Sequence, residues 1–129
     1  MKQRKDGNKS LFYDTYAILG ILKGDPAYTG YTKSIHILTT IMNLYKAYFI
    51  LLRERDTTAA NIAIERFHQY CVPIYPQAIK EAARFKLAHS TDNISYVDAI
   101  GYVLAKHHHV QFLTGDKAFK NLPNVRFVK

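Results

Sequence analysis

The chain is short of cysteine, of acidic residues and of long apolar runs, and each shortage removes a class of protein. Cys71 is its only cysteine, so neither an intrachain disulfide nor a four-cysteine zinc site can form, in keeping with a reducing compartment. No uninterrupted apolar stretch approaches the roughly 20 residues of a membrane span. Met1–Lys9 is charged and lacks the apolar centre of a signal peptide. A cytoplasmic protein that does not enter membranes is the expectation. There is no Gly-rich phosphate loop, internal repeat, low-complexity tract or linker, which removes the nucleotide-loop and repeat architectures.

What is present suits one folded unit. The 129 residues are 48% hydrophobic and 22% charged, enough for a single buried core and outside the composition of disordered chains. We expect a short basic N-terminal segment over residues 1–9 and a single domain over 10–129. Eighteen Lys and Arg against ten Asp and Glu leave a net charge of +8, which favours polyanionic partners such as RNA, DNA or an acidic protein segment. The basic residues are dispersed and form no dedicated binding tail.

Short β-prone runs alternate with longer helical ones. Strands are predicted over Ser10–Tyr13, Ile35–Leu38, Val72–Ile74, Gln111–Thr114 and Val125–Val128. Helices are predicted over Tyr16–Lys23, Ile41–Arg53, Thr58–Tyr70, Pro76–Ala88 and Ser95–Lys106, with single turns at Ala27–Thr32 and Lys117–Lys120. Gly24 and the Asp25-Pro26 turn stop the first helix, Thr39-Thr40 caps the second, and Pro76 sits at the first position of the fourth. Ile41–Arg53 is apolar on nearly every face, so it should be buried on several sides or meet a partner chain. Tyr45, Tyr48 and Phe49 fall on its periodic apolar faces, which makes core or interface packing the first expectation for them.

Alternation of this kind implies a parallel sheet with right-handed crossovers, and ligands then bind beyond the carboxyl ends of the strands, where strand order reverses. Asp14 and Asp116 follow the first and fourth predicted strands, and Asp98 lies in the first turn of the helix leading into the fourth. With a strand order of 3-2-1-4-5 the first and fourth strands are neighbours, and the three carboxylates converge. Carboxylates packed together repel, and a hard divalent cation makes the arrangement favourable. Each aspartate also has a plain structural reading: Asp14 and Asp116 as N-caps, and Ser95 with Asp98 as a capping box. His107, His108 and His109 are consecutive, point in different directions on a helix, and read as a polar helix end that holds no metal.

Three segments together resemble one family. Phe12–Leu19 (FYDTYAIL) resembles the opening segment of PIN domains, Ser95–Ala105 (SYVDAIGYVLA) their third acidic motif, and Phe112–Phe119 (FLTGDKAF) their fourth. The resemblance runs from about Ser10 to Val128. It implies a three-layer α/β/α fold around a five-stranded parallel sheet and a metal-dependent nuclease, among whose small members are the toxins of VapBC-type toxin–antitoxin pairs. On that resemblance Asp14, Asp98 and Asp116 hold Mg²⁺ or Mn²⁺, while Thr114 or Thr15 supports the site. The implied partners are RNA, an antitoxin and a second copy of the chain.

The chain departs from the pattern in the helix Asn43–Glu54 (NLYKAYFILLRE). Lys46 stands where the family usually offers Glu, and Asn43, one turn earlier, is the nearest polar alternative. The exchange moves the site's formal charge from −4 to −2. It leaves three outcomes: a weaker site held by three aspartates, a Lys46 that meets the substrate phosphate as a point charge, or a domain that binds RNA or protein without catalysis.

Overall fold

Each predicted strand but one becomes a strand, and the exception is explained by a proline. In the computed structural model, which describes residues 9–129, β1 (Lys9–Tyr13) runs parallel to β2 (Ile35–Leu38) on one side and to β3 (Gln111–Thr114) on the other. β4 (Val125–Phe127) follows at the far edge, giving the order β2-β1-β3-β4. The basic segment expected over 1–9 lies outside the described residues except for Lys9, which opens β1.

The expected five-stranded sheet is therefore four-stranded. Val72–Ile74 forms no strand, and what remains of it is one parallel bridge between Thr39 and Cys71. Two backbone bonds hold that bridge, from Thr39 N to Tyr70 O at 3.1 Å and from Val72 N to Thr39 O at 2.9 Å. Pro73 supplies no N–H for a further rung, and Pro76 already begins the next helix, so pairing stops after a single residue. With that strand removed, the expected order 3-2-1-4-5 is the observed one, and the central neighbours are unchanged.

Helices cover both faces. α1 (Thr15–Leu22), α2 (Ile41–Arg53) and α3 (Thr57–Phe67) pack with Leu11, Tyr13 and Leu113 on one side of the sheet. α4 (Pro76–Ala88) and α5 (Tyr96–His107) pack with Phe12, Leu38 and Phe112 on the other. The alternation Leu11, Phe12, Tyr13 sends neighbouring side chains of β1 into opposite layers, as the two-residue period of a strand requires. All three are buried, so β1 is apolar on both faces, the mark of a central parallel strand. Short 3₁₀ turns occupy Pro26–Tyr31, His68–Tyr70 and Lys117–Phe119. Among the described residues no helix is long and apolar enough to cross a membrane.

The helix starts are capped by short polar side chains. Asp14 accepts from Ala17 N, Thr40 from Asn43 N, Asp56 from Ala59 N and Ser95 from Asp98 N, each satisfying an amide that has no partner inside its helix. Two of these four caps are also the residues, or the supports of residues, singled out above for chemistry.

α2 buries one side within the chain, not several. Asn43, Leu44, Ala47 and Leu51 face inward, whereas Tyr45 and Phe49 are 65% and 53% exposed. Those two are not core residues. Together with Ile41 and Leu52 they form an apolar stripe on the solvent side of the helix.

α5, which carries Asp98, approaches the sheet closely at Gly101. A Cβ there would stand 2.9 Å from Phe12 Cε1 and 3.2 Å from Phe112 Cε1, two fully buried rings with no room to yield. Gly101→Val should therefore cost about 1–3 kcal/mol through overpacking, read as a fall of several degrees in the thermal unfolding midpoint by circular dichroism. An unchanged midpoint would show that α5 is not pressed onto β1 and β3 in this way.

Candidate active site

The ends of β1 and β3 bring the first and last of the three aspartates together. Asp14 leaves β1 in extended conformation, and its amide donates to Leu113 O of β3 at 3.2 Å. Its side chain is fully buried. One carboxylate oxygen, Oδ1, caps α1 by accepting from Ala17 N at 2.9 Å, while Oδ2 is buried without any hydrogen-bond partner. Burial pushes the carboxyl up to about 8. The Thr114 hydroxyl and the Ala17 amide pull it down, and the charges of Asp98 and Asp116 push it up again.

Asp116 follows β3 by two residues and begins the turn Lys117–Phe119. Its amide donates to Thr114 Oγ1 at 3.0 Å, and its Oδ1 caps the turn by accepting from Ala118 N at 3.0 Å. Thr114, fully buried at the end of β3, thus lies between Asp14 and Asp116 and bears on both.

Asp98 arrives from α5 and is nearly as buried as Asp14. Ser95 Oγ accepts from Asp98 N at 3.1 Å and from Lys46 Nζ at 3.2 Å, and Lys46 Nζ stands 3.5 Å from Asp98 Oδ1. The ammonium and the carboxylate are therefore paired at the pocket wall, with Ser95 as a shared polar neighbour. Burial raises the Asp98 carboxyl above the usual range, Lys46 and Ser95 draw it back, and Asp116 raises it.

Asn43 lies beneath the site and is clamped to Thr15, which reaches the cavity wall. Asn43 accepts from Thr40 Oγ1 at 2.6 Å and donates from Nδ2 to Thr15 Oγ1 at 3.2 Å, tying α2 to the first turn of α1 beside Asp14. Thr39 adds a bond from Oγ1 to Tyr13 O at 2.8 Å. Among the described residues two buried side-chain polar atoms lack such a partner, Asp14 Oδ2 and the Tyr28 hydroxyl, and of the two only the first belongs to a carboxyl group.

Above these groups opens a cavity of about 680 Å³. Thr15, Lys46, Ser95, Asp98 and Asp116 line it, and among the further lining residues are Tyr16, Lys23, Lys86 and Tyr96, none of them singled out in the sequence. The two tyrosines stand symmetrically in sequence, Tyr16 two residues after Asp14 and Tyr96 two before Asp98. First-turn placement next to a strand-end acid is the signal that would have found them. Lys23 is held at the rim by Glu54 at 3.0 Å. His107 lies elsewhere, between Tyr75 Oη at 2.6 Å and Glu81 Oε1 at 2.8 Å, where it ties α5 to α4.

The donor chemistry fits a hard divalent cation. Asp14 Oδ2 is a buried carboxylate oxygen that lacks a donor, two further carboxyls bear on it, and every candidate ligand is an oxygen. Three ionised aspartates and Lys46 would sum to a charge of −2, which one such ion cancels. Among the described residues no three acidic, imidazole or thiolate groups are drawn together tightly enough to enclose an ion as they stand.

A parallel α/β sandwich with acids gathered at the carboxyl edge of its central strands is the arrangement these residues define. The chain belongs to the PIN domain family, whose profile matches residues 11–125. Among solved structures, a toxin–antitoxin complex from Klebsiella pneumoniae is similar with a TM-score of 0.72 at 13% identity, covering 92% of this chain and 98% of that one. The Mycobacterium tuberculosis toxin VapC20, described as cleaving the sarcin–ricin loop, is similar at 0.71 and 19% identity, over 90% and 98% of the two chains. PAE2754 from Pyrobaculum aerophilum gives 0.69 at 14% identity over 94% and 92%. A sequence comparison with curated proteins finds no significant match.

The raised Asp14 pKa has a consequence for stability. In the unfolded chain this carboxyl ionises near its ordinary value of 3.8, and in the folded protein at about 8, so between those values the folded state holds the extra proton. Stability should therefore fall as pH rises through that window and level off above it. Asp14→Asn keeps a capping oxygen without a titrating group. In metal-free buffer its melting temperature should exceed that of the wild type by several degrees at pH 8.5 and by little at pH 4. Parallel pH profiles for the two proteins would refute a proton held on Asp14.

Proposed function

We propose that the protein is a divalent-metal-dependent ribonuclease of the toxin kind, in which Asp14, Asp98 and Asp116 hold Mg²⁺ or Mn²⁺ over the ends of β1 and β3. The observation that carries the reading is the buried, unpartnered Asp14 Oδ2 facing two more carboxyls. A folded protein tolerates such an oxygen poorly unless function calls for it. Family membership and the resemblance in fold to VapC20 and to the Klebsiella toxin–antitoxin complex support it.

An ion bound here would neutralise a phosphodiester oxygen and acidify an attacking water. The chain's residues would do the rest. Asp14, which burial keeps neutral, would be held charged as a ligand and so would release its proton to solvent when an ion binds. Thr114 holds Asp14 and Asp116 in register, and the Asn43–Thr15 bond fixes the first turn of α1. Lys46, anchored by Ser95 and reaching the cavity, meets a non-bridging phosphate oxygen as a point charge. Lys23 and Lys86 extend the basic lining along the strand, in line with the net charge of +8.

A second reading is favoured by one distance, the 3.5 Å between Lys46 Nζ and Asp98 Oδ1. If that ion pair persists in solution, Asp98 already has its cation, and the domain binds RNA or protein without cutting. Calorimetric titration with Mn²⁺ and cleavage of a labelled RNA separate the two. The nuclease reading expects one weakly bound ion, cleavage abolished by EDTA, and a loss of at least about a hundredfold in rate for Asp14→Asn, the scale of removing a group that stabilises the transition state. Neither binding nor cleavage in the wild type would leave the non-catalytic reading.

The toxin reading also gives the stripe Ile41, Tyr45, Phe49 and Leu52 of α2 a covering partner, an antitoxin segment or a second copy of the chain, acting in the cytoplasm. Light scattering should find a species larger than the 14.8 kDa monomer, and Tyr45→Asp with Phe49→Asp should reduce it to the monomer. A monomeric wild type, unchanged by co-expression with the product of a neighbouring gene, would remove both partners.

A further inference from the structure

Tyr96 opens α5 two residues before Asp98, and 77% of its surface is in solvent. Its ring is nonetheless lightly restrained by a neighbouring cation. Lys86 Nζ lies 4.8 Å from its centroid, and Lys86 is itself fixed by a 2.6 Å bond to Ile94 O. The restraint comes from two groups on two elements, α4 and the loop before α5. Such a ring contributes little through burial and has a face open to a ligand.

The ring stands on the boundary between two cavities of opposite character. On one side is the polar cavity with Lys46, Asp98 and Asp116. On the other is an apolar groove of about 360 Å³ between α4 and α5, lined by Ile79, Ala82, Leu87 and Ile100. Tyr96 and Lys86 line both. The combination is amphiphilic: a seat for an anion, a lysine, an aromatic face, then an apolar slot. A nucleotide has the same order of parts, from phosphate to base.

We propose that Tyr96 is a stacking platform for an unpaired RNA base adjoining the phosphate at the aspartate centre, and that the groove between α4 and α5 receives that base. The proposal rests on the ribonuclease reading for its choice of RNA, but it concerns binding and does not require cleavage. It makes single-stranded segments the substrate, because in a duplex both faces of each base are already occupied by the stack. It is silent on base identity, since every base has a face to offer; Ser90, Lys86 and Tyr96 are the groove-lining residues that carry hydrogen-bonding side-chain groups.

The test uses Asp14→Asn as the parent, so that RNA stays intact, and a fluorescently labelled single-stranded RNA of mixed sequence followed by anisotropy. Tyr96→Ala in that parent should weaken binding roughly five- to a hundredfold, the range for one lost stacking partner. Tyr96→Phe should stay within about twofold, Lys86→Met should fall between, and a blunt-ended RNA duplex should bind the parent and both Tyr96 variants equally. Tyr96 is exposed, so its variants should fold as the parent does, and circular dichroism melts verify this. Equal binding of single-stranded RNA by Tyr96→Ala and the parent overturns the platform. So does a Tyr96→Ala protein that changes oligomeric state by sedimentation without changing RNA affinity, which would make the groove a contact between copies. A parent that binds RNA beside a wild type that cuts none overturns the nuclease reading alone and leaves the platform standing.

Discussion

The rest of the molecule is arranged around the burial of one carboxyl group, that of Asp14. Placing an ionisable group with no solvent exposure at the end of the central strand is costly unless it is neutral, fully hydrogen-bonded or faced by a cation. Here one oxygen is used to start α1, the amide of the same residue is tied to β3, and the second oxygen is left without a partner. The neutral form answers the cost in isolation, and a bound cation would answer it in a loaded site. The same residue therefore serves as a helix cap and as the group that gives the cavity its character.

Around that constraint the polar layer is built as a set of ties between elements. Asn43 joins α2 to α1, Thr39 joins the end of β2 to β1, Thr114 joins Asp14 to Asp116, and Ser95 joins Lys46 to the start of α5. Each tie also occupies a donor or acceptor that would otherwise be stranded below the cavity floor. Lys46 holds one positive charge where three carboxyls gather, so part of their repulsion is relieved by the protein itself. That lowers the charge left for any cation to cancel, and it keeps an ammonium where a phosphate would arrive.

Much of this was legible from residue order. Strand-end positions of Asp14 and Asp116, caps at Thr40 and Ser95, and Pro76 at the start of α4 all lie within a few residues of the features they define, where local rules operate. The fifth strand was misread because Val72–Ile74 has the right residue types, and the effect of Pro73 on a ladder shows only once its would-be partner is known. For Tyr45 and Phe49 the sequence left core and interface packing open: a helix apolar on several faces does not say which face meets the sheet, and here Leu44, Ala47 and Leu51 took that place. Tyr96 lies inside the Ser95–Ala105 motif without being singled out, and Lys86 lies in none, because their significance lies in a contact between side chains of two elements.

Sequence alone determined the alternation of strands and helices, the parallel sheet that follows from it, and the three acids at strand and helix ends, since each depends on spacing along one stretch of chain. Only the tertiary structure decided that Asp14 Oδ2 is buried without a donor, that Lys46 pairs with Asp98, that Asn43 lies under the site, and that Tyr96 divides a polar cavity from an apolar groove. Those four facts are distances between residues tens of positions apart. They depend on how α2, α4 and α5 pack over the sheet, and packing is set by the shapes of all the buried side chains at once.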